Sequence, residues 1–374
     1  MPPVALSGLP ADLGNLRVDD GAGPAYLEAL AARLAERGAH IEVEEPEYLS
    51  PALLLERFHE WGRESISVVR SDASLLSRME IGRWAETSAA RRALDRASRA
   101  LSVRGRLRAA RDRWWARVAS AEFWRGARSA ATEDEWRWLT SSYTVLLYHR
   151  LAGELTPGQE RVDVAPAKFD AQMALLRRLR FRPLEPGQLD GLTSPGASIG
   201  HRSMLVTVDD AFRDVVRPLL RHADLRPELF VPTAAVGGEA DWLDGVRVAS
   251  WEELRALSRS GVRFGGHSRR HLDLTTLTEE EAQAEIRGSG EDLRHALGVR
   301  PSSFAYPNGR HGERERQLVR AAGYSHAFAT TTGRNGPGTD RYALNRVSVK
   351  AWDSRLSFLW KAFTGVQPPE RWER

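Results

Sequence analysis

Two short runs in this 374-residue chain have the residue types and spacing to hold a metal ion. Asp209 and Asp210 end the apolar stretch MLVTVDDAF at 204–212. Adjacent carboxylates repel each other unless a cation or a shared proton compensates. Alone, such a pair is more often a helix cap or a solvated loop. The second run, HSRRH at 267–271, changes the weighing. Histidines at i and i+4 are expected to share one face of a helical turn and converge on a metal. Joined by an acid from another strand, they make a two-histidine, one-carboxylate set with open positions for water and substrate. Isolated histidines such as His40, His59, His222 and His295 read as ordinary surface or core residues.

The elements that must hold these residues begin at Ser141, where short apolar runs start to alternate with amphipathic stretches. TVLLYHR (144–150) reads as a strand, FDAQMALLRRLRF (169–181) as a helix, and MLVTVDDAF as a buried strand followed by the helix FRDVVRPLLRHA. The alternation continues through LFVPTAAV, WEELRALSRSG, VRFGGHS, a long helix from Thr278 to Leu297, SFAYP, AFATTT and LNRVSV. Seven or eight such repeats predict an α/β fold built on a largely parallel sheet, a barrel that is distorted or incomplete. Parallel folds build their sites at the C-terminal ends of the strands, where both acidic and histidine runs fall.

With these motifs in order, residues 141–352 resemble the polysaccharide deacetylase family, also called the NodB-homology domain or carbohydrate esterase family 4. TVDDAF (207–212) resembles its first motif, which implies Asp209 as catalytic base and Asp210 as metal ligand. HSRRH resembles the second, whose histidines, here His267 and His271, complete the metal triad. FAYPNGR (304–310) resembles the third, a groove wall whose backbone N–H, by position that of Asn308, faces the substrate oxyanion. The resemblance implies a divalent ion, zinc first, with cobalt, nickel or iron able to take the same ligands. It also implies an N-acetylated saccharide substrate.

Two departures stand out. The arginine that usually opens the third motif is replaced by Ala305, and the late Leu-x-His motif, whose histidine serves as general acid, reads Leu344-Asn345-Arg346. No histidine follows His326. Arg346 restores a positive charge expected near Asp209, but an arginine is a poor proton donor because its pKa exceeds about 12. The acid is therefore sought at His149 or His311, each of which could instead only fix a loop.

Residues 1–140 are expected to form a mainly helical N-terminal region and residues 353–374 a C-terminal tail. AYLEALAARLAER (25–37) has helical spacing, and PALLLERFHEWGRE (51–64) opens with a proline suited to a first turn. LAARLAERGAHIEVEEP, then FHEWGRESISVVRSDASLL and later FWRGARSA resemble the stretch behind the nucleotide-binding core of family 2 glycosyltransferases. Tyr26-Leu27 stands where those enzymes carry Glu-Asp, so no transferase activity is expected.

Positions 91 to 128 hold twelve arginines, with Trp114, Trp115, Phe123 and Trp124 among them. Such a segment suits the headgroup region of a membrane, and peripheral membrane contact through 89–130 is one expectation. Packing of these aromatics inside the protein is the other.

The hydrophobic share of 42% and charged share of 28% are those of an ordinary globular chain. The absence of cysteine excludes disulfides, thiolate metal sites and cysteine nucleophiles. The net charge of +4 comes almost wholly from arginine, since only Lys168, Lys350 and Lys361 are lysines. No nucleic-acid motif accompanies the charge, and no nucleic-acid partner is expected. The first residues show no secretory pattern and no apolar run reaches the ~20 residues of a span, which makes the cytoplasm, or the inner face of its membrane, the expected location. Rival readings of the chemistry are a saccharide-binding module that has lost its acid and a metal-dependent amidase acting on a non-sugar amide.

Overall fold

The computed structural model describes residues 51–87, 89–103, 112–153, 163–185, 202–243 and 245–369, with Gln188, Leu189, Leu192, Ala197, Ile199 and Gly200. The helix expected over 25–37 and the Tyr26-Leu27 position lie outside the described residues. Contacts divide the chain into two compact units.

The first unit takes in Met1–Ser141, Gly191–Ser198 and Gly336–Gly338. Its described part is helical: α1 (Pro51–Ser71), α2 (Ala89–Val103), α3 (Asp112–Ala130) and α4 (Glu133–Leu139). The helices α1 and α3 cross with their backbones in contact. A Cβ on Gly62 would lie 2.0 Å from the Phe123 carbonyl oxygen, and one on Gly126 would lie 1.9 Å from that of His59. Only glycine permits this approach. The core around the crossing holds Ile66, Val69, Leu76, Met79, Phe123, Trp124 and Trp138. Thr132 caps α4 through a capping box with Glu135, and Arg70 of α1 reaches the same carboxylate at 2.6 and 2.7 Å. Phe123 and Trp124, expected as part of a membrane-facing set, are buried within their own unit. The Trp114 and Trp115 side chains lie outside the described residues. No described helix is long and apolar enough to cross a membrane.

The second unit comprises Ser142–Asp190, Ile199–Asn335 and Thr339–Arg374. Its eight strands among the described residues are β1 (Thr144–Tyr148), β2 (Arg182–Pro183), β3 (Ser203–Val208), β4 (Glu228–Val231), β5 (Arg263–Gly266), β6 (Ser303–Ala305), β7 (His326–Phe328) and β8 (Val347–Ser348). They pair in parallel in the order β7-β6-β5-β4-β3-β1-β8, with β2 also on β3. Strands β1 and β3 are buried along their whole length, which is why they read as unbroken apolar runs rather than alternating ones. The helices between strands are α5 (Pro166–Arg178), α6 (Val216–Arg221), α7 (Trp251–Arg259), α8 (Glu279–Leu297) and α9 (Glu313–Ala321).

The sheet is a curled, incomplete (β/α) barrel whose two ends are linked by one thin segment. Leu344 bridges in parallel to Phe328 of β7, and three residues later Val347 and Ser348 pair with Leu146 and Leu147 of β1. The expected strand LNRVSV is thus only two residues long as β8, because its first half serves the opposite edge of the sheet. This link carries Arg346 into the interior.

The segment expected as a tail folds into this unit. Helix α10 (Arg355–Thr364) buries Phe358 and Ala362 in the core, and Lys361 pairs with Asp353 at 2.5 Å with neither side chain exposed. Its mixed apolar and basic sequence gave no sign of a buried ion pair across two turns of chain.

Candidate active site

His149, Asp209, Asp210 and His267 follow directly on strand ends, His271 and Asn308 lie in the loops beyond β5 and β6, and Arg346 precedes β8. Backbone pairing continues one residue past β3, where the Asp209 N–H donates to the Tyr148 carbonyl at 2.9 Å. The chain then breaks sharply: Asp210 has φ 71° and Ala211 φ 50°. Ser268 (φ 57°), His271 (φ 59°) and Asn308 (φ 57°) occupy the same left-handed region. Among the described residues only Arg180 and Arg226 are further non-glycine cases. Such backbone costs on the order of 1 kcal/mol or more per residue, and its concentration here marks loops held for their side chains.

The HSRRH run forms no helical turn. His267 follows β5 directly, and the chain reverses through the left-handed Ser268 and His271. The Ser268 hydroxyl oxygen accepts the His271 N–H at 2.9 Å, and buried Glu285 of α8 accepts the N–H groups of Arg269 and Arg270 at 2.9 and 2.8 Å. The histidines converge because this turn is pinned, not because of a 3.6-residue repeat.

His267 Nε2 lies 3.4 Å and His271 Nε2 3.1 Å from Asp210 Oδ1. One ligand atom from each residue falls within 4.8 Å of the other two. Asp210 Oδ1 is fully buried and makes no hydrogen bond of good geometry. Leaving a buried carboxylate oxygen unsatisfied is costly, and a cation between the three groups removes the cost. His267 Nδ1 stands 2.7 Å from the Ala305 carbonyl, which accepts its proton and leaves the Nε2 lone pair free for a metal. The donors therefore fit a divalent ion. Burial alone would raise the Asp210 carboxyl, but His267 and then His271 outweigh it and hold the group well below its usual range.

Beside this triad, Arg346 Nη1 and Nη2 donate to Asp209 Oδ1 and Oδ2 at 2.7 and 2.8 Å. Arg346 is 0% and Asp209 3% exposed, so the pair has almost no water to screen it. The guanidinium also donates through Nε to the Ala329 carbonyl at 2.8 Å and lies 5.7 and 5.9 Å from the ring centroids of Phe230 and Phe328. A Cβ on Gly265 would come 2.2 Å from the Phe230 ring, so the glycine in β5 leaves room for that wall. Burial would raise the Asp209 carboxyl, yet Arg346 and then His267 carry it below its usual value.

A cavity of about 180 Å³ joins these groups, lined by His149, Asp209, Asp210, His267, His271 and Asn308, with Phe212, Trp242, Leu243, Gly309 and Thr330. His149 is thus brought to the site, its imidazole pushed down by burial and only partly held up by Asp210 and Asp209. His311 is not in this lining. It stacks on Tyr306 with ring centroids 4.5 Å apart and contacts the Gly309 carbonyl at 3.0 Å. Trp242, which stacks on His271 at 4.3 Å, escaped the sequence reading. The only hint was an aromatic in a glycine-bounded loop after a strand.

Residues 198–327 match the family model described as polysaccharide deacetylase. The chain carries a polysaccharide deacetylase domain. Over 217 residues it is 22% identical to YxkH of Bacillus subtilis (strain 168), a protein named for the same family, spanning 57% of this chain and 74% of that one. Among solved structures, the Streptococcus pyogenes deacetylase PplD in complex with acetate has TM-score 0.51 at 18% identity, covering 61% of this chain and 99% of that one. IcaB from Ammonifex degensii has TM-score 0.51 at 24% identity, covering 59% and 96%. At these identities the two structures bear on the fold of the deacetylase domain, and its chemistry rests on the residues above.

Proposed function

We propose that the deacetylase domain hydrolyses N-acetyl groups on a saccharide, releasing acetate and leaving a free amine on the sugar. The observation that carries this reading is one cavity that sets an orphaned Asp210 oxygen and two imidazoles beside a carboxylate clamped by a buried arginine.

Asp210, His267 and His271 would hold a divalent ion, zinc by the chemistry of two neutral imidazoles and a carboxylate. Such an ion lends Lewis acidity to the acetyl carbonyl and to water. Asp209 takes the proton of the attacking water. Arg346 fixes both Asp209 oxygens, which orients the base and makes its protonated form a strong acid that readily gives the proton up again. His149, in the same lining, relays that proton to the departing nitrogen in place of the late histidine absent from this chain. The Asn308 N–H, in its left-handed turn, stabilises the developing oxyanion. Trp242 shields His271 and bounds the space left for the acyl group.

The absent histidine also favours a second reading, a groove that binds acetylated saccharide without turnover. Acetate release from short N-acetylglucosamine oligomers separates the two, measured with zinc-loaded protein and with its Asp209→Asn, His267→Ala and His149→Gln variants. Turnover is expected in the parent and lost by at least about 10³-fold in the first two, with a fall of about 10²-fold in the third. A parent that binds zinc yet releases acetate from no acetylated glycan sinks the hydrolase reading.

A further inference from the structure

The first unit contains a cavity of about 350 Å³ between α2, α3 and α4 that the deacetylase reading does not use. Its size falls within the usual span of small-molecule sites. Three indoles, Trp84, Trp124 and Trp136, form one wall, with Trp84 edge-on to Trp124 at 4.9 Å and to Trp136 at 5.2 Å. Facing them are Arg92, Arg96, Arg99, Arg125 and Arg128.

The arginines differ in what neutralises them. Arg99 and Arg125 share one buried carboxylate, Glu122, and Arg128 reaches Glu133. Asp95, the acid in the lining, is engaged by Arg91 at 2.9 Å. Arg92 has no carboxylate partner among the described residues. It donates to the Trp84 and Thr87 carbonyls and lies 4.2 Å above the Trp84 ring. Arg96, on the next turn of α2, is exposed and has no hydrogen-bond or ion-pair partner among the described residues. Burial depresses the Arg92 guanidinium and the neighbouring Arg96 depresses it further, the response of a cation that lacks an anion. Around the cavity six guanidiniums meet three carboxylates.

We infer that this cavity is a binding site for a phosphate ester with an apolar portion, the phosphate held by Arg92 and Arg96 and the apolar portion laid against the indole wall. Two planar guanidiniums one helical turn apart match the oxygens of a phosphate dianion, and the indoles take hydrocarbon or ring carbon that a free phosphate would leave exposed to water. The same chemistry occurs in a lipid headgroup and in a soluble phosphate ester. This site is independent of the deacetylase assignment and stands or falls without it.

Isothermal titration of the full chain with dodecyl phosphate, below its critical micelle concentration, tests the inference. The expected result is one ligand per chain, weakened at least about tenfold by Arg96→Glu and by Arg92→Gln, and weakened by salt. Arg96 is exposed, so Arg96→Glu remains decisive if Arg92→Gln fails to fold. Vesicles of phosphatidylcholine with and without phosphatidic acid distinguish the sources. Retention on the acidic vesicles that Arg96→Glu abolishes points to a lipid, and capture of the monomeric ester alone points to a soluble one. Equal affinity for inorganic phosphate, equal affinity for dodecyl trimethylammonium, or an unchanged Arg96→Glu titration would overturn it.

Discussion

Arg346 and Arg92 both lie against aromatic rings, one in each unit, and they differ in what answers their charge. Arg346 is enclosed between Phe230 and Phe328 and meets a buried carboxylate with both terminal nitrogens. Arg92 covers Trp84 and, among the described residues, meets only carbonyl oxygens. A buried charge is tolerable when its partner is built in, and the pair then serves to orient whichever member does chemistry. A half-buried cation without a built-in partner is completed from outside. The same residue type on the same kind of ring thus becomes a positioning group in one place and a recognition group in the other.

The sharpest way to break this comparison is to remove Arg346. Arg346→Met leaves Asp209 buried without its ion-pair partner, and is expected to destabilise the second unit by about 3–5 kcal/mol, read as a shift in the denaturant midpoint. The double variant Arg346→Met, Asp209→Leu should recover most of that loss while remaining inactive, because replacing both members by apolar groups removes the uncompensated charge. A single variant as stable as the parent would mean that the pair is not the enclosed ion pair its geometry describes.

A smaller effect is expected where the site is pinned from behind. Glu285→Ala removes the acceptor of the Arg269 and Arg270 N–H groups and frees the turn that carries His271. It should cost about 1–3 kcal/mol of stability and lower zinc affinity by about 10–100-fold, measured by competition with a chelator. Unchanged zinc affinity would show that the turn holds itself.

The smallest concerns the first unit. Arg70 and the cap at Thr132 draw the Glu135 carboxyl from its usual 4.5 to about 2. A carboxyl depressed in the folded state adds stability above its unfolded value, and that stability fades as pH falls from about 4.5 through about 2. The pair is partly in contact with water, so Glu135→Gln should cost only about 0.5–1 kcal/mol at pH 7 and a small fraction of that near pH 2, compared by thermal melts at both. A cost independent of pH would assign the effect to the helix cap alone.

Much of the second unit was legible in advance, for a local reason. Buried parallel strands must be apolar on both faces, so MLVTV and TVLLY announce themselves, and their C-terminal ends locate Asp209, Asp210 and His149 without reference to anything distant. The long helix expected from Thr278 to Leu297 is α8, with Thr278 as its N-cap and Gly298 closing it. The HSRRH run shows the limit: spacing suggested a helical turn, whereas the histidines meet through left-handed backbone and a glutamate fourteen residues beyond His271. No periodicity encodes such a turn, because its energy comes from hydrogen bonds to another element.

By itself, then, the sequence determined which residues could do the chemistry and the strand ends on which they ride, since burial pattern and capping are written in neighbouring residues. Tertiary structure decided the rest. It split LNRVSV between the two edges of the sheet, sent Arg346 to Asp209 across 137 positions of chain, folded the C-terminal segment into the core and left Arg92 without a carboxylate among the described residues. Those outcomes depend on which groups are desolvated together, and a charge acquires its role only when the protein has determined what else is buried beside it.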